Sequence, residues 1–325
     1  MSPYRLAGIL LLSLPLCSVG QAKQDCSDEA IIVSVLDRAG APVKDLVADN
    51  FRIAFRGRPA KLTSVAYREN LQARVVVLLD VSGSMKGELS PGKWRTALAA
   101  TSDFLSSAPP QTQITLVAFN TKVERIFAAT DGRGPIQDWL SKPEVQRGAV
   151  LKGGTALYGA ILGALHALTP PQPGDAIYVI TDGGDNRSAE GQKKVLRALG
   201  ESGVRLFGFL VTGSSHSEEE RIGPIELDDL ARHAGGLIST TTPYNAGVGW
   251  SSSYDFGHDS IARERLFTRA VQAAISDFYV IGIKSGDPEL KHLKVNVVTP
   301  DGKLRKDLTM SYPHESAPKI CGSTK

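Results

Sequence analysis

The apolar runs in the middle of this chain constrain its fold more than any other feature of the sequence. The runs are Val75–Leu79, Ile114–Phe119, Ile177–Ile180 and Val204–Val211. Continuous apolar runs, as opposed to alternating ones, are typical of strands buried on both faces of a parallel sheet. A stretch with helical periodicity follows each run, as is required if helices cover both faces. The sequence therefore predicts an open, doubly wound, mostly parallel α/β sheet over residues 73–276.

Shorter strand patterns flank this α/β domain on both sides. Residues 23–72 contain the patterns Ile31–Leu36, Phe51–Phe55 and Leu62–Tyr67, and residues 277–325 contain Phe278–Ile283, Leu293–Val298 and Leu304–Met310. Neither segment has enough strands for an independent sheet. We therefore expect the two segments to pair in one small β-sandwich-like domain.

The first 22 residues have the features of a secretory signal peptide. Arg5 precedes an apolar run that is too short to span a bilayer, and Gly20 and Ala22 supply the small residues of a cleavage site. Leu16 stands before Cys17, where a lipoprotein signal requires a small residue. Since no later stretch reaches the ~18 apolar residues of a membrane helix, we expect a protein without a transmembrane segment, exported to the periplasm or the exterior.

Signal cleavage would remove one of the three cysteines and leave Cys26 and Cys321. In an oxidising compartment, two cysteines near the chain ends predict a disulfide that joins them. Such a bond would require their Cα atoms to lie within about 7 Å of each other.

The charge balance bears on the class of partner. The chain has 37 Lys+Arg and 34 Asp+Glu, so its formal net charge is only +3. This balance gives no electrostatic basis for binding nucleic acid.

Oxygen donors cluster where the predicted strands end. Asp80, Ser82 and Ser84 follow the first apolar run, Thr155 follows two glycines at a predicted helix start, and Asp182 follows the run Ile177–Ile180. Doubly wound sheets bind ligands outside the carboxyl ends of their strands. Carboxylates and hydroxyls are hard ligands that suit Mg²⁺. Taken alone, Asp80 and Ser82 also fit a turn and a helix N-cap.

The order and spacing of these donors resemble the metal-ion-dependent adhesion site of the von Willebrand factor A (vWA) domain. The resemblance implies a Rossmann-like sheet in which Ser82 and Ser84 bind Mg²⁺, with Mn²⁺ or Ca²⁺ as alternatives. It implies that Thr155 binds directly or through water, and that Asp80 and Asp182 act mainly through water. An Asp or Glu of a protein ligand would complete the coordination of the ion. The flanking strand segments resemble those of bacterial secreted VWFA-related proteins.

We interpret the chain as a secreted adhesion or binding module and not as an enzyme. The alternatives are a permanent structural component of an envelope assembly and a Mg²⁺-dependent hydrolase. Against the hydrolase, no His, Cys or Lys accompanies the five donors in sequence to act as a base or nucleophile. The segment Gly87–Lys93 imitates a phosphate-binding loop, but Trp94 stands where a Ser or Thr is required.

Two long connections are expected on the face that carries the metal donors, at 212–224 and 241–258. The second contains Tyr244, Trp250, Tyr254 and Phe256 among glycines and serines. Aromatic residues in such a setting are typical of an adaptable recognition surface. We expect the metal to hold a carboxylate while this loop selects the partner; a solvated insertion is the alternative.

Overall fold

The computed structural model describes residues 29–86, 92–212, 218–241, 260–284 and 292–314. The strands are β1 (Glu29–Leu36), β2 (Phe51–Phe55), β3 (Arg58–Pro59), β4 (Lys61–Arg68), β5 (Arg74–Asp80), β6 (Gln113–Phe119), β7 (Val123–Phe127), β8 (Ala176–Thr181), β9 (Arg205–Leu210), β10 (Ile238–Thr240), β11 (Phe278–Lys284), β12 (Leu293–Val297) and β13 (Thr309–Ser311). The helices are α1 (Gly92–Ser107), α2 (Gly134–Ser141), α3 (Pro143–Gln146), α4 (Leu157–Ala167), α5 (Gln192–Ser202), α6 (Glu218–Ala234) and α7 (Ser260–Ser276).

A six-stranded sheet in the order β10-β9-β8-β5-β6-β7 forms the centre of the molecule. All neighbouring pairs are parallel except β6 and β7. Alternate residues of β5 face opposite sides, because Val77 packs in a core with α1 and α7 while Leu78 packs in a core with α4, α5 and α6. Strands covered on both faces explain the continuous apolar runs. The doubly wound α/β fold predicted from the sequence is therefore confirmed.

The strand order determines where a ligand site lies. The chain runs from β5 outward to β6 on one side and later returns to place β8 on the other side of β5. The carboxyl ends of β5 and β8 therefore lie next to each other at a switch point of the sheet, where open α/β folds bind their ligands. Asp80 ends β5, and Asp182 directly follows β8.

The flanking segments form two small antiparallel sheets, as predicted. One has the order β13-β1-β11-β4 and the other β12-β2-β3, so each sheet combines strands from both ends of the chain. Their apolar faces share one core that includes Phe51, Tyr279 and Val295. The Tyr279 ring lies edge-on to Phe51 at 5.2 Å between centroids. These two facing sheets are the β-sandwich-like unit expected from the sequence.

Arg205, the first residue of β9, joins the large sheet to this β unit. Arg205 is 1% exposed, and its guanidinium donates to the Ser34 hydroxyl on β1 (2.9 Å) and to the carbonyls of Ala274 (2.5 Å) and Ile275 (3.2 Å) on α7. Burial lowers the pKa of Arg205 to about 9. Since the guanidinium also lies 4.9 Å from the centre of the Phe278 ring, one side chain connects β1, β9, α7 and the start of β11.

Two sequence expectations about single elements are wrong. The predicted long connection at 212–224 is partly helical, because α6 begins at Glu218 and continues through Pro224. Proline removes one helical hydrogen bond and usually ends a helix, but the later turns of α6 bury Leu227 and Leu230 against the sheet. The predicted strand Leu304–Met310 is also shorter, because only Thr309–Ser311 pairs as a strand, with β1.

Several other expectations concern residues outside the described ranges. These are the signal peptide at 1–22, Cys26 and Cys321 with their disulfide, and the 241–258 loop with Tyr244, Trp250, Tyr254 and Phe256. All of them stay predictions. Within the described ranges, no helix has the length and apolar character needed to cross a membrane.

The buried acid Glu264 in α7 gives a testable pH dependence of stability. Glu264 is 4% exposed and accepts a hydrogen bond from Thr268 Oγ1 at 2.9 Å. Burial raises its pKa to about 7, and the nearby charge of Asp103 contributes. Between the ordinary carboxyl pKa and about pH 7, the folded state therefore keeps a proton that the unfolded state has lost.

We expect wild-type stability, relative to Glu264→Gln, to fall by about 2 kcal/mol between pH 5 and pH 8. The stabilisation is complete in acid and is lost as the pH rises through 7. Urea unfolding of both proteins at several pH values measures the difference. Glu201→Gln, which changes an exposed glutamate of α5, is the control and should track the wild type. Parallel curves for wild type and Glu264→Gln would contradict the prediction.

Candidate metal centre

The loop after β5 is shaped by the side chain of Asp80. Asp80 is fully buried, and its Oδ1 accepts a hydrogen bond from the backbone N–H of Ser82 at 2.8 Å. Its Oδ2 accepts one from the Thr181 hydroxyl at 2.6 Å. The chain then turns through a short 3₁₀ helix at Gly83–Lys86. Asp80 therefore stabilises the start of its own loop and connects that loop to the end of β8.

The two serines connect Asp80's loop to Asp182. Ser82 Oγ lies 3.0 Å from Ser84 Oγ, and Ser84 Oγ donates to Asp182 Oδ1 at 3.0 Å. Ser82 and Asp182 are buried, whereas Ser84 is exposed. The protein therefore covers the cluster at Ser82 and Asp182, and solvent reaches the cluster at Ser84.

The loop that carries Thr155 is held against this cluster by backbone hydrogen bonds. Gly83 N–H donates to the Gly153 carbonyl at 2.9 Å. A Cβ on Gly83 would lie 3.2 Å from that oxygen, which is tighter than ordinary contact, so glycine suits this approach. Thr155 is 1% exposed, and its backbone N–H donates to Asn186 Oδ1 at 2.8 Å. The structure thereby places all five predicted donors at one edge of the sheet, with Asp80 at the end of β5 and the other four on the loops that follow β5, precede α4 and follow β8.

The electrostatics of the cluster are those of two buried acids close together. Burial, together with the charge of Asp182, raises the pKa of Asp80 to about 7. Hydrogen bonds from Thr181 and Ser82 act in the opposite direction. A cation placed between the two carboxylates would relieve their repulsion.

Lys93 was missed as a site residue, and it corrects the argument that no lysine accompanies the donors. Lys93 is the second residue of α1, is 8% exposed, and its Nζ lies 2.6 Å from Asp182 Oδ2. In the sequence, Lys93 is recognisable only as part of a pattern that imitates a phosphate-binding loop, because its partner is 89 positions away. The available signal was that a helix begins soon after the predicted metal-binding loop, which brings the first residues of the helix near that loop.

Thr181 and Asn186 were also missed, although both adjoin predicted donors. Thr181 precedes Asp182 and its hydroxyl holds Asp80. Asn186 receives the Thr155 N–H through its side chain, while its own N–H donates to the Thr155 carbonyl at 2.9 Å. The strand-end position of Thr181 and the turn-forming character of Asn186 were the available signals.

The chemistry of the donor set fits a hard divalent cation. Carboxylates, hydroxyls and water are the ligands preferred by Mg²⁺, which usually keeps several waters. Ser82, Ser84 and Thr155 would supply hydroxyls, and Asp80 and Asp182 the negative charge. Among the described residues, no group of three or more His, Cys, Asp or Glu side chains is placed to hold a metal, so any site here depends on the hydroxyls.

Comparison with known families and structures gives matches over the same region. The family described as von Willebrand factor type A domain matches residues 75–184. No curated protein sequence matches the chain.

Several solved structures are similar in fold. BatB from Bacteroides thetaiotaomicron is 16% identical, with 62% of this chain and 98% of BatB covered and a TM-score of 0.44. A von Willebrand factor type A protein from Catenulispora acidiphila is 12% identical, with 90% and 73% covered and a TM-score of 0.40. The minor pilin PilB from Streptococcus sanguinis is 14% identical, with 67% and 64% covered and a TM-score of 0.40.

Proposed function

Because residues 75–184 of this chain are a von Willebrand factor type A domain, we propose that the chain is an exported binding module that captures a protein partner through a divalent metal ion. Domains of this family are commonly binding or adhesion modules. The observation that carries the proposal is the cluster of Asp80, Ser82, Ser84 and Asp182, which is buried on one side and open at Ser84. The signal peptide predicted from the sequence of residues 1–22 would direct this binding module out of the cytoplasm.

A bound Mg²⁺ would supply a positive coordination point for a carboxylate oxygen of the partner. Residues of this chain would hold the ion in position. Asp80 holds the loop through Ser82 N–H, and Ser84 stands at the solvent opening. Since the ion would be reached from the Ser84 side, we propose that the partner offers an exposed Asp or Glu there.

Charged residues on the surrounding loops support an acidic partner. Lys86, Lys122, Lys152 and Arg187 are exposed on loops that adjoin the cluster. The Lys152 ammonium also lies 3.4 Å from Glu124. Basic side chains around an opening attract a carboxylate-bearing surface and raise its association rate.

Metal-dependent capture tests this proposal. The tagged wild-type protein is incubated with the native envelope fraction or secretome in Mg²⁺, in EDTA, and in EDTA followed by excess Mg²⁺. We expect capture in Mg²⁺, loss in EDTA and recovery on re-addition, because the partner carboxylate would bind only the loaded site. Asp80→Ala should give no capture in any of the three conditions.

Two other results would contradict the proposal. Capture that persists in EDTA and in Asp80→Ala would favour a permanent structural component. Turnover of an ester or a phosphate ester by the Mg²⁺-loaded protein, lost in Asp80→Ala, would favour a hydrolase.

A further inference from the structure

We propose that Lys93 lowers the affinity of this site for divalent ions, because it supplies the positive charge that the buried carboxylates need when no metal is bound. The inference rests on the proposed metal site and adds a residue that its donor pattern does not include. Lys93 is the residue that determines what concentration of metal ion is required to occupy the site.

The Lys93 ammonium group contacts both Asp182 and the loop that carries Ser84. Lys93 Nζ lies 2.6 Å from Asp182 Oδ2 and 3.4 Å from the Ser84 carbonyl. The other oxygen of Asp182 accepts the Ser84 hydroxyl. Both oxygens of this carboxylate are therefore engaged, one by a cation and the other by a predicted metal ligand.

Lys93 and Asp182 are both buried. The side chains of Lys93 and Asp182 are 7% and 1% exposed, so water screens their interaction poorly. A buried ammonium is stable only beside an opposite charge. The pair therefore stabilises the protein without a bound metal, because it places a positive charge beside Asp182 and close to the second buried carboxylate, Asp80.

A divalent ion bound at the proposed site would be a second positive charge close to Lys93. An ion held by Ser82 and Ser84 would stand close to Asp182 and hence to the ammonium bound to it. Like charges in a poorly screened site repel each other. Lys93 must therefore weaken metal binding, either by staying near the ion or by giving up a buried salt bridge to make room for it.

Mn²⁺ titration with Lys93→Met tests the inference. Free Mn²⁺ is counted by electron paramagnetic resonance at constant ionic strength, and Mg²⁺ is added as a competitor. We expect Lys93→Met to bind Mn²⁺ at least about tenfold more tightly than wild type, since methionine fills similar space without charge. Lys93→Gln, which keeps a hydrogen-bond donor but loses the charge, should also bind more tightly.

Thermal unfolding gives a second readout. Metal-free Lys93→Met should melt below wild type, because two buried carboxylates lose their cation, and its melting temperature should rise more on addition of Mn²⁺. Lys142→Met is the control, since it removes the same charge from an exposed position between α2 and α3. Lys142→Met should bind Mn²⁺ within about threefold of wild type, as screened surface charges contribute little.

The outcomes separate this inference from the proposed function. If wild type binds Mn²⁺ and Lys93→Met binds it equally or more weakly, Lys93 orients Asp182 for the metal or is indifferent to it, and the inference is overturned while the metal site stands. If none of the proteins binds Mn²⁺ or Mg²⁺, the metal site itself is wrong, and the role of Lys93 falls with it.

Discussion

Asp80→Asn is expected to lower the Mg²⁺ affinity of the proposed metal site by about 100-fold, the upper end of the effect of residues that support metal ligands, without destabilising the protein in the absence of metal. Asparagine keeps the oxygen that accepts the Ser82 N–H. The Thr181 hydroxyl, which now donates to Asp80, can turn and accept from the new amide. The substitution therefore removes only the negative charge of a buried side chain next to Asp182.

This combination of effects follows from the raised pKa of Asp80. Burial and the neighbouring Asp182 disfavour the ionised form of Asp80 in the folded protein. A divalent ion at the proposed site would need that charge, whereas burial next to Asp182 makes the same charge unfavourable for folding. Loss of metal affinity with unchanged or slightly higher stability would show that Asp80 serves binding at a cost to the fold.

The measurement is a Mg²⁺ titration by calorimetry together with urea unfolding in EDTA. Asp131→Asn removes one exposed carboxylate far along the chain from the site and should change neither quantity. If Asp80→Asn binds Mg²⁺ with the affinity of wild type, Asp80 does not contribute to the metal site. A loss of more than about 1 kcal/mol of stability in EDTA, the size of a net hydrogen bond, would show that the ionised carboxylate is needed for folding.

The part of the site that the sequence predicts is the part that local geometry determines. Asp80, Ser82 and Ser84 lie within one turn, and the strand-end rule brings Thr155 and Asp182 to the same edge. Lys93 was not predicted, because its contact depends on the direction in which α1 leaves the loop. Thr181 reaches Asp80 only because β5 and β8 pair in one register, with Leu79 opposite Ile180.

The same distinction applies to the fold. Some elements are evident from the sequence pattern, whereas others depend on packing. The parallel strands were predictable because burial on both faces imposes continuous apolar runs. The edge strand β7 was not, since Val123 and Ile126 are exposed and its sequence shows no buried side. The early turns of α6 were missed because Pro224 signals an end, whereas the packing of Leu227 on the sheet outweighs the lost hydrogen bond.

Close backbone packing is a third kind of information that the sequence does not display. Gly236 lies between α6 and β10, and its N–H donates to the Ala231 carbonyl at 2.8 Å. A Cβ built on Gly236 would stand 1.7 Å from the carbonyl oxygen of Leu206 in β9. That oxygen belongs to a strand buried on both faces, so neither backbone has room to move. The tight approach lets Leu237 accept the Gly208 N–H at 3.0 Å and start the pairing of β10 with β9.

We therefore expect Gly236→Ala to reduce the free energy of unfolding by at least about 3 kcal/mol, the range of severe packing defects. Urea unfolding measures the loss. Gly163→Ala is the matched control, because Gly163 is an exposed residue of α4 whose Cβ would meet no atom within 4 Å. Alanine is the better helix former, so Gly163→Ala should be neutral or more stable by up to about 1 kcal/mol. Equal stabilities of the two variants would mean that β9 and β10 can separate without cost. The damaged contact lies at the amino ends of the strands, opposite the proposed metal site, so the Mg²⁺ affinity of that site should be the same in wild type and in the fraction of Gly236→Ala that stays folded.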